Sequence, residues 1–297
     1  MDIIPLICGF HFGCKISTTS EILSFYIISG FSLALRLVLI SEIRGLNMIA
    51  TIFHQGREFR IDFFKPIDIS IPLHTGADCV SAWYVDPMRL EPVVMGDWIG
   101  DVNKGGSVNF RTVTFNPHGN GTHTECVGHI SKEFYTINKN LDRFMFIAEV
   151  VTVLPLQLDN GDFVITRKAL ESLLADCGKP EAIVIRTLGN GLNKMSTHYS
   201  NTNPPYVLKE AIEFLNELGV MHLLIDMPSI DKENDEGKLE AHHAFWNYPN
   251  NAQLHKTITE FIYVPNEVYD GTYILNLQIA PFENDASPSK PVLYKVV

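Results

Sequence analysis

The stretch Asn116–Ile130 reads NPHGNGTHTECVGHI, and its chemistry is concentrated in His118, His123, Glu125 and His129. In an extended segment, side chains two positions apart project to the same face, so His123 and Glu125 present an imidazole and a carboxylate together. That pairing suits a divalent metal ion. Gly119, Gly121 and Gly128 interrupt the run. Glycine permits φ > 0 and close backbone approach, which lets His118 turn toward the same point despite its odd offset. Thr122, small and hydroxylated, is placed to hold a neighbouring ligand. Cys126 alternates to the face opposite Glu125, which favours packing as a small apolar side chain over a role as ligand or nucleophile. A polar, glycine-rich loop with packed histidines is the competing reading, and a second cluster elsewhere in the chain decides between them.

Such a cluster lies downstream. The run Leu224–Trp246 reads LIDMPSIDKENDEGKLEAHHAFW, with the adjacent pair His242 and His243, and Glu260 follows in TITEFIYV. Together the two segments resemble the cyclase family of metal-dependent hydrolases, whose members include the bacterial kynurenine formamidases. That family carries H-x-G-T-H-x-D-x-P-x-H, then D-x-P-S-x-D, then A-H-H or A-H-R, then a later Glu. This chain offers GTHTECVGH, the run from Asp226 to Asp231, Ala241-His242-His243 and Glu260 in the same order. Its end, YILNLQIAPFENDASPSKPVLYKV, also looks like the family's closing strands and D-A-S-P turn. The resemblance runs roughly from Ile67 to the C-terminus. It has departures: Glu125 stands where the family has Asp, Val127 where it has Pro, and Gly119 where it has the first His, with His118 one position early. An added loop, WNYPNNAQLH, separates His242 from Glu260. These changes bear on metal number, metal identity and substrate.

The resemblance implies an α/β, cyclase-like (swivelling β/β/α) fold, with a mixed sheet or barrel-like strands and flanking helices. It implies His118, His123, Glu125, His242 and Glu260 as ligands for one or two divalent ions, zinc first and manganese second. It also implies His129 as the general acid/base that gives a proton to a leaving amine. His243 is assigned away from the metal, because relatives often carry Arg there. Asp226 and Asp231 are expected to orient ligands or, alternatively, to cap the turn after a strand. His11, His54, His74, His198, His222 and His255 are read as ordinary packed or surface histidines. The implied reaction is metal-assisted hydrolysis of a C–N bond in an amide or formamide, with N-formylkynurenine the first substrate to test. Hydrolysis of a cyclic amide by the same chemistry is one alternative. A catalytically silent small-molecule binding protein, its metal site spoiled by Glu125, is another. A homo-oligomer, dimer or tetramer, is expected on the same resemblance.

Composition sets the outer bounds. A chain of 297 residues with 46% hydrophobic content is long enough to bury a large core. Its net charge of −11, with no stripe of Lys and Arg, argues against a nucleic-acid partner. Cys8, Cys14, Cys79, Cys126 and Cys177 are scattered with no C-x-x-C pair, so a disulfide framework is not expected and a reducing, cytoplasmic setting is. Residues 1–47 differ from the rest. ILSFYIISGFSLALRLVLI (22–40) is nearly long enough to span a bilayer, but Arg36 interrupts it. The extension is read as sequence upstream of a natural start at Met48 in preference to a membrane anchor, leaving 48–297 as a single metal-dependent hydrolase domain.

From Met48 onward the pattern predicts a hairpin around His54–Arg57 and an opening strand over Ile67–Leu73. Trp83 and Tyr84 are expected near the entrance, where aromatics can stack on an aryl group. Met88–Gly106, rich in turn formers, is expected to be a long loop at the site mouth. Phe144–Leu156, Ala182–Leu188 and VMHLLIDMP read as buried strands. Between them lie one helix capped by Thr166 and stopped by Gly178, with Ala169, Leu170, Leu173 and Leu174 inward, and another started by Pro204-Pro205 and stopped by Gly219. Strand–helix alternation of this kind makes an α/β layer.

Overall fold

A computed structural model describes residues 47–297. The readings made for the apolar extension fall on residues 1–46, outside the described residues. In chain order the first strands are β1 (Ile49–His54), β2 (Arg57–Asp68), β3 (Arg89–Pro92), β4 (Val94–Met95), β5 (Trp98–Ile99), β6 (Arg111–Thr114) and β7 (His123–Glu125). Then come α1 (Ile137–Asn140), β8 (Met145–Val153), β9 (Leu156–Gln157), β10 (Phe163–Ile165), α2 (Arg167–Leu173), β11 (Ala182–Thr187) and β12 (Tyr206–Val207). The chain ends with α3 (Lys209–Leu218), β13 (His222–Ile225), α4 (Glu240–Trp246), β14 (Thr257–Glu260), β15 (Gly271–Ile279) and β16 (Ala286–Val296).

The main sheet runs β1-β2-β16-β15-β8-β11-β13-β14-β7, and β7 pairs again with β16. That second pairing closes the strands from β16 round to β7 into a barrel. Neighbours among β8, β11, β13 and β14 are parallel, and the other pairs antiparallel. Parallel neighbours need long crossovers, and α2, α3 and α4 lie in those connections. Both faces of the central strands are therefore buried, as their continuous apolar sequence predicts. Alternation splits them: Ile183, Ile185, Leu223 and Ile225 pack with the helices, while Ala182, Val184 and Leu224 fill the barrel with Phe146, Tyr273 and Leu275. Cys126 lies in that interior, as its alternation predicts.

The hairpin at His54–Arg57 forms, with Gln55 and Gly56 at φ 50° and 73°. Thr166 caps α2 by accepting from the Ala169 amide at 3.2 Å, and Gly219, in the left-handed conformation, ends α3. Other boundaries differ from the expectation. The opening strand of 67–73 is the tail of β2, which stops at Asp68; beyond it Ser70 bridges Ile262. Leu173 is exposed, whereas Leu174, just past the end of α2, is buried. Tyr206–Val207, expected in a helix, pairs with β10, and α3 begins only at Lys209. Met88–Gly106 is not a long loop: it forms ribbons, β3 with β6 and β4 with β5, closed by backbone bonds such as Gly100 N–H to Val93 O at 2.9 Å. Among the described residues no helix is long and apolar enough to cross a membrane.

Candidate metal centre

The three residues of β7 place the site. Glu260 on β14 pairs directly with His123, and Ala286 on β16 with Glu125. Direct cross-strand partners lie about 5 Å apart and share a face, so His123, Glu125 and Glu260 converge. His123 Nε2 is 3.4 Å from Glu260 Oε2 and 3.9 Å from Glu125 Oε2. His242, carried by α4, brings Nε2 to 3.1 Å from Glu125 Oε1 and 4.0 Å from Glu260 Oε1. His118, from the loop before β7, brings Nδ1 to 3.0 Å from Glu125 Oε2. His118, His123 and His242 therefore meet around Glu125, and Glu260 approaches two of them, His123 and His242.

The outward nitrogen of each histidine is occupied. His118 Nε2 donates to Asp285 Oδ2 at 2.8 Å, His123 Nδ1 to the Gly121 carbonyl at 3.1 Å, and His242 Nδ1 to Asp231 Oδ2 at 2.6 Å. The inward atoms divide: His242 Nε2 bonds Glu125 Oε1 at 3.1 Å, whereas the others have no such partner. His118 Nδ1, His123 Nε2 and Glu125 Oε2 are buried with no hydrogen-bond partner, the close His118–Glu125 approach lacking hydrogen-bond geometry. Buried polar atoms without partners are rare in folded proteins. These lie within 4.8 Å of one another, and nitrogen and carboxylate oxygen are the donors that zinc and similar divalent ions take. The donor set fits a metal ion.

Electrostatics point the same way. Burial pulls the His118 imidazole down, but its bond to Asp285 and the Glu125 carboxylate outweigh this and push it up to about 10. His242, buried between Asp231 and Glu125, is likewise pushed up to about 10. Glu125 is held well below the usual carboxylate range, because the charge of His129 and the close contacts of His118 and His242 overcome its burial. Without a metal, positive charge at the site is therefore supplied by protons.

His129 stands beside this cluster. Its Nδ1 is 3.4 Å from Asp285 Oδ2 and 3.9 Å from Glu125 Oε2, and its side chain is the most exposed of the group at 31%. Asp231 bonds the expected ligand His242, and His243 turns away, toward the Tyr248 carbonyl. Asp226 does not reach the site: it accepts from the Thr187 amide and hydroxyl and pairs with Lys194 at 2.6 Å. Thr122 touches no ligand either, because its hydroxyl ties the Ile71 amide to the Phe261 carbonyl. Asp285 was absent from the expected site residues, although the D-A-S-P turn that contains it was visible in the sequence.

Comparison with known proteins bears on this arrangement. A family model described as "Putative cyclase" matches residues 67–232. The chain belongs to that family. The kynurenine formamidase of Bacillus cereus is 28% identical over 230 residues, covering 76% of this chain and 96% of that protein. The enzyme of the same name from Bacillus anthracis is 27% identical over 234 residues, covering 77% and 97%. An isatin hydrolase bound to thioisatinate superposes with a TM-score of 0.57 at 14% identity, covering 90% of this chain and all of that one. A protein described as a potential metal-dependent hydrolase with cyclase activity superposes at 0.55 and 16% identity, covering 78% and 98%. At such identities the superpositions establish the shared fold.

Against the cyclase-family pattern, the displaced first histidine now has a physical reason. A Cβ at Gly119 would lie 2.5 Å from Val85 Cγ2 and 3.0 Å from the Ala82 carbonyl oxygen. The entrance segment packs directly on that backbone, with the Ala82 amide donating to the Gly119 carbonyl at 3.1 Å. No side chain fits at 119, and His118 reaches the centre from the preceding position.

A cavity of about 310 Å³ opens onto the site, a volume suited to a small ligand. His118, His129, His242 and Glu260 form its floor, and Trp83, Val85 and Leu239 supply apolar wall. Tyr84 is 72% exposed outside it, and no residue of 88–106 lines it. A larger groove of about 760 Å³ crosses the outer faces of α3 and α4, among surface charges such as Lys209, Glu213 and Glu240. It is open and lacks a cluster of ligating groups, so the chemistry belongs to the smaller cavity.

Proposed function

We propose that this cyclase-family chain is a metal-dependent hydrolase that cleaves the C–N bond of an amide or formamide, with aryl formamides such as N-formylkynurenine as the first substrate class. The observation that carries the reading is the set of partnerless buried atoms on His118, His123 and Glu125, within 4.8 Å of one another behind a cavity that His118 lines. His118, His123, Glu125, His242 and Glu260 would hold the metal, zinc or alternatively manganese. When bound, such an ion polarises a carbonyl and makes water acidic enough to ionise near neutral pH.

The remaining work falls to side chains. Trp83, Val85 and Leu239 give an aryl group an apolar slot beside the charged Lys232, Glu233 and Asp235. Asp285 lies on the Nδ1 side of His129, which leaves Nε2 as the nitrogen that gives a proton to the departing amine. Asp231 fixes His242 with Nε2 inward. Kynurenine formamidase relatives that cover three quarters of the chain support this reaction class. A cyclic amide is the second substrate class, favoured by the likeness to isatin hydrolase over 90% of this chain. A homo-oligomer working in the cytoplasm on a small molecule, without nucleic acid or membrane, completes the reading.

Plasma mass spectrometry of protein purified without chelator, beside His123→Ala, tests it. Bound zinc or manganese that is lost in the variant, with hydrolysis of aryl formamides following the metal, is expected. Protein that carries no metal and takes up none when it is added overturns the proposal and leaves a silent binding protein.

A further inference from the structure

Asp285 lies far from the other site residues in sequence, 167 positions from His118, yet it touches two of them. Its position is built by backbone. It directly precedes β16, whose Ala286–Pro288 pair with Glu125–His123, and its carbonyl accepts from the Cys126 amide at 3.0 Å. Gly128 makes room for it: a Cβ there would lie 3.2 Å from Asp285 Cβ and 2.2 Å from the Tyr135 carbonyl oxygen. The aspartate is therefore held against the motif strand by hydrogen bonds that do not depend on its side chain.

Its side chain meets the one expected ligand whose sequence position departs from the family pattern. A neutral imidazole carries one N–H and one lone pair, and the group bonded to one nitrogen decides which is which. Asp285 Oδ2 can only accept, so the 2.8 Å contact requires the proton on His118 Nε2. In the neutral ring that a metal ligand requires, the lone pair is then on Nδ1, the atom 3.0 Å from Glu125 Oε2 that has no hydrogen-bond partner. His118 also comes from a loop and is partly exposed, whereas His123 is fully buried on a strand. His123 needs no carboxylate, because the Gly121 carbonyl holds it. Of the three histidines, His118 has the least backbone support.

We infer that Asp285 is the positioning residue that makes His118 a metal ligand: it selects the Nε2–H tautomer and holds the ring so that Nδ1 faces Glu125. Its lesser contact, with His129 at 3.4 Å, aligns a second ring on the same anchor. The inference rests on the metal reading proposed above. Outer partners of this kind typically change metal affinity 10- to 100-fold.

The test uses the full chain and two readouts other than turnover: zinc affinity by competition with a chromogenic chelator, and the visible spectrum of the cobalt-substituted protein. His123→Ala is the control for the metal site itself, and Asp285→Ala, His118→Ala and their double variant are compared with the parent. Asp285→Ala is expected to weaken zinc roughly 10- to 100-fold and to shift the cobalt bands as His118→Ala does, with the double variant little worse than either single. Asp285→Asn retains an acceptor oxygen and the shape of the side chain, and is expected to recover part of the affinity. It also gives the answer if the alanine variant does not fold. If His123→Ala loses zinc while both Asp285 variants bind within twofold of the parent, the inference is overturned and the metal reading stands. Losses from Asp285→Ala and His118→Ala that multiply in the double variant overturn it as well. If His123→Ala binds zinc as the parent does, the metal reading itself fails.

Discussion

Asp231 Oδ2 accepts a 2.6 Å hydrogen bond from His242 Nδ1, and the same carboxylate takes the backbone N–H groups of Ala241 and His242 at 2.8 and 3.0 Å. One side chain thereby orients an expected ligand and satisfies the first turn of α4. The residue before that helix, Leu239, has φ 44° and supplies no side-chain cap, so Asp231 acts as the cap from outside. Asp231→Ala is expected to lower stability by about 1–3 kcal/mol through the exposed amides and to weaken metal binding about 10-fold or more. Asp231→Asn, which still accepts one bond, falls between. Denaturant unfolding of the metal-free protein and chelator competition separate the two effects.

Metal binding should release protons. In the metal-free protein His118 and His242 are raised to about 10 by their carboxylate partners, so both are protonated at neutral pH. A ligand must be a neutral imidazole, so each proton leaves when metal enters. Affinity is therefore expected to rise with pH between 6 and 9, and calorimetry in buffers of different ionisation enthalpy should detect the release. The stability linkage has the opposite sign. Folded values above the ordinary 6.5 stabilise the metal-free fold fully below pH 6.5, and this is lost as pH rises through about 10. Metal-free protein should therefore lose melting temperature on the alkaline side, where the metal-bound protein gains.

His222 gives a separate acid limb. It is buried against Phe146, with ring centroids 3.9 Å apart, and its Nδ1 bonds Thr257 Oγ1 at 2.8 Å. Burial first, then the charges of Arg143 and Lys256, pull it down to about 3. Below pH 6.5 the unfolded chain takes up a proton that the folded chain refuses until about pH 3, so stability falls with acid across that window. The contribution approaches about 1.4 kcal/mol per pH unit. His222→Asn keeps a polar group toward Thr257 and does not titrate. Its stability should depend less steeply on pH between 6.5 and 4 than that of the parent, as followed by urea unfolding.

Local rules made much of this architecture legible. The two-residue period put His123 and Glu125 on one face, and the apolar runs of β8, β11 and β13 with their intervening helices announced the parallel layer. The resemblance to the cyclase-family motifs brought in His242 and Glu260. Asp285 was hidden because its place is set by the pairing of β16 with β7, a contact between strands distant in sequence with no local periodicity. Asp226 misled for the converse reason. It sits in the right motif, but its carboxylate is taken by Thr187 and Lys194 and does not turn to the histidine cluster. The ribbons of 88–106 contain many turn residues, and strands of two to four residues leave too short a pattern to read.

Asp226 and Lys194 test whether that misplaced acid is structural. Asp226 is 2% exposed, and Lys194 Nζ reaches its Oδ2 at 2.6 Å while also donating to the Thr187 carbonyl and hydroxyl. Burial pushes the Asp226 carboxyl up, with Lys194 the strongest opposing influence. Removing one partner leaves the other charge without compensation, so Asp226→Ala is expected to destabilise by about 3–5 kcal/mol. Asp226→Ala paired with Lys194→Met should recover part of that loss. Metal affinity in folded samples should be unchanged, which is the outcome that separates Asp226 from Asp231.

The packing of Val85 on Gly119 joins the entrance to the ligand loop. Gly119→Ala introduces a Cβ 2.5 Å from Val85 Cγ2 and 3.0 Å from the Ala82 carbonyl. The valine can be trimmed, whereas the backbone cannot. Overpacking of this kind costs about 1–3 kcal/mol, and relief must come from displacing the segment that carries Trp83, which forms part of the cavity wall. Gly119→Ala is therefore expected to lower the melting temperature and to raise KM for an aryl formamide more than it lowers kcat. Val85→Ala in the same chain removes the closer of the two contacts and should restore most of the stability. A fall in kcat at unchanged KM, unrelieved by Val85→Ala, would instead mean that the strain passes to His118 and that position 119 governs the ligand loop and not the entrance.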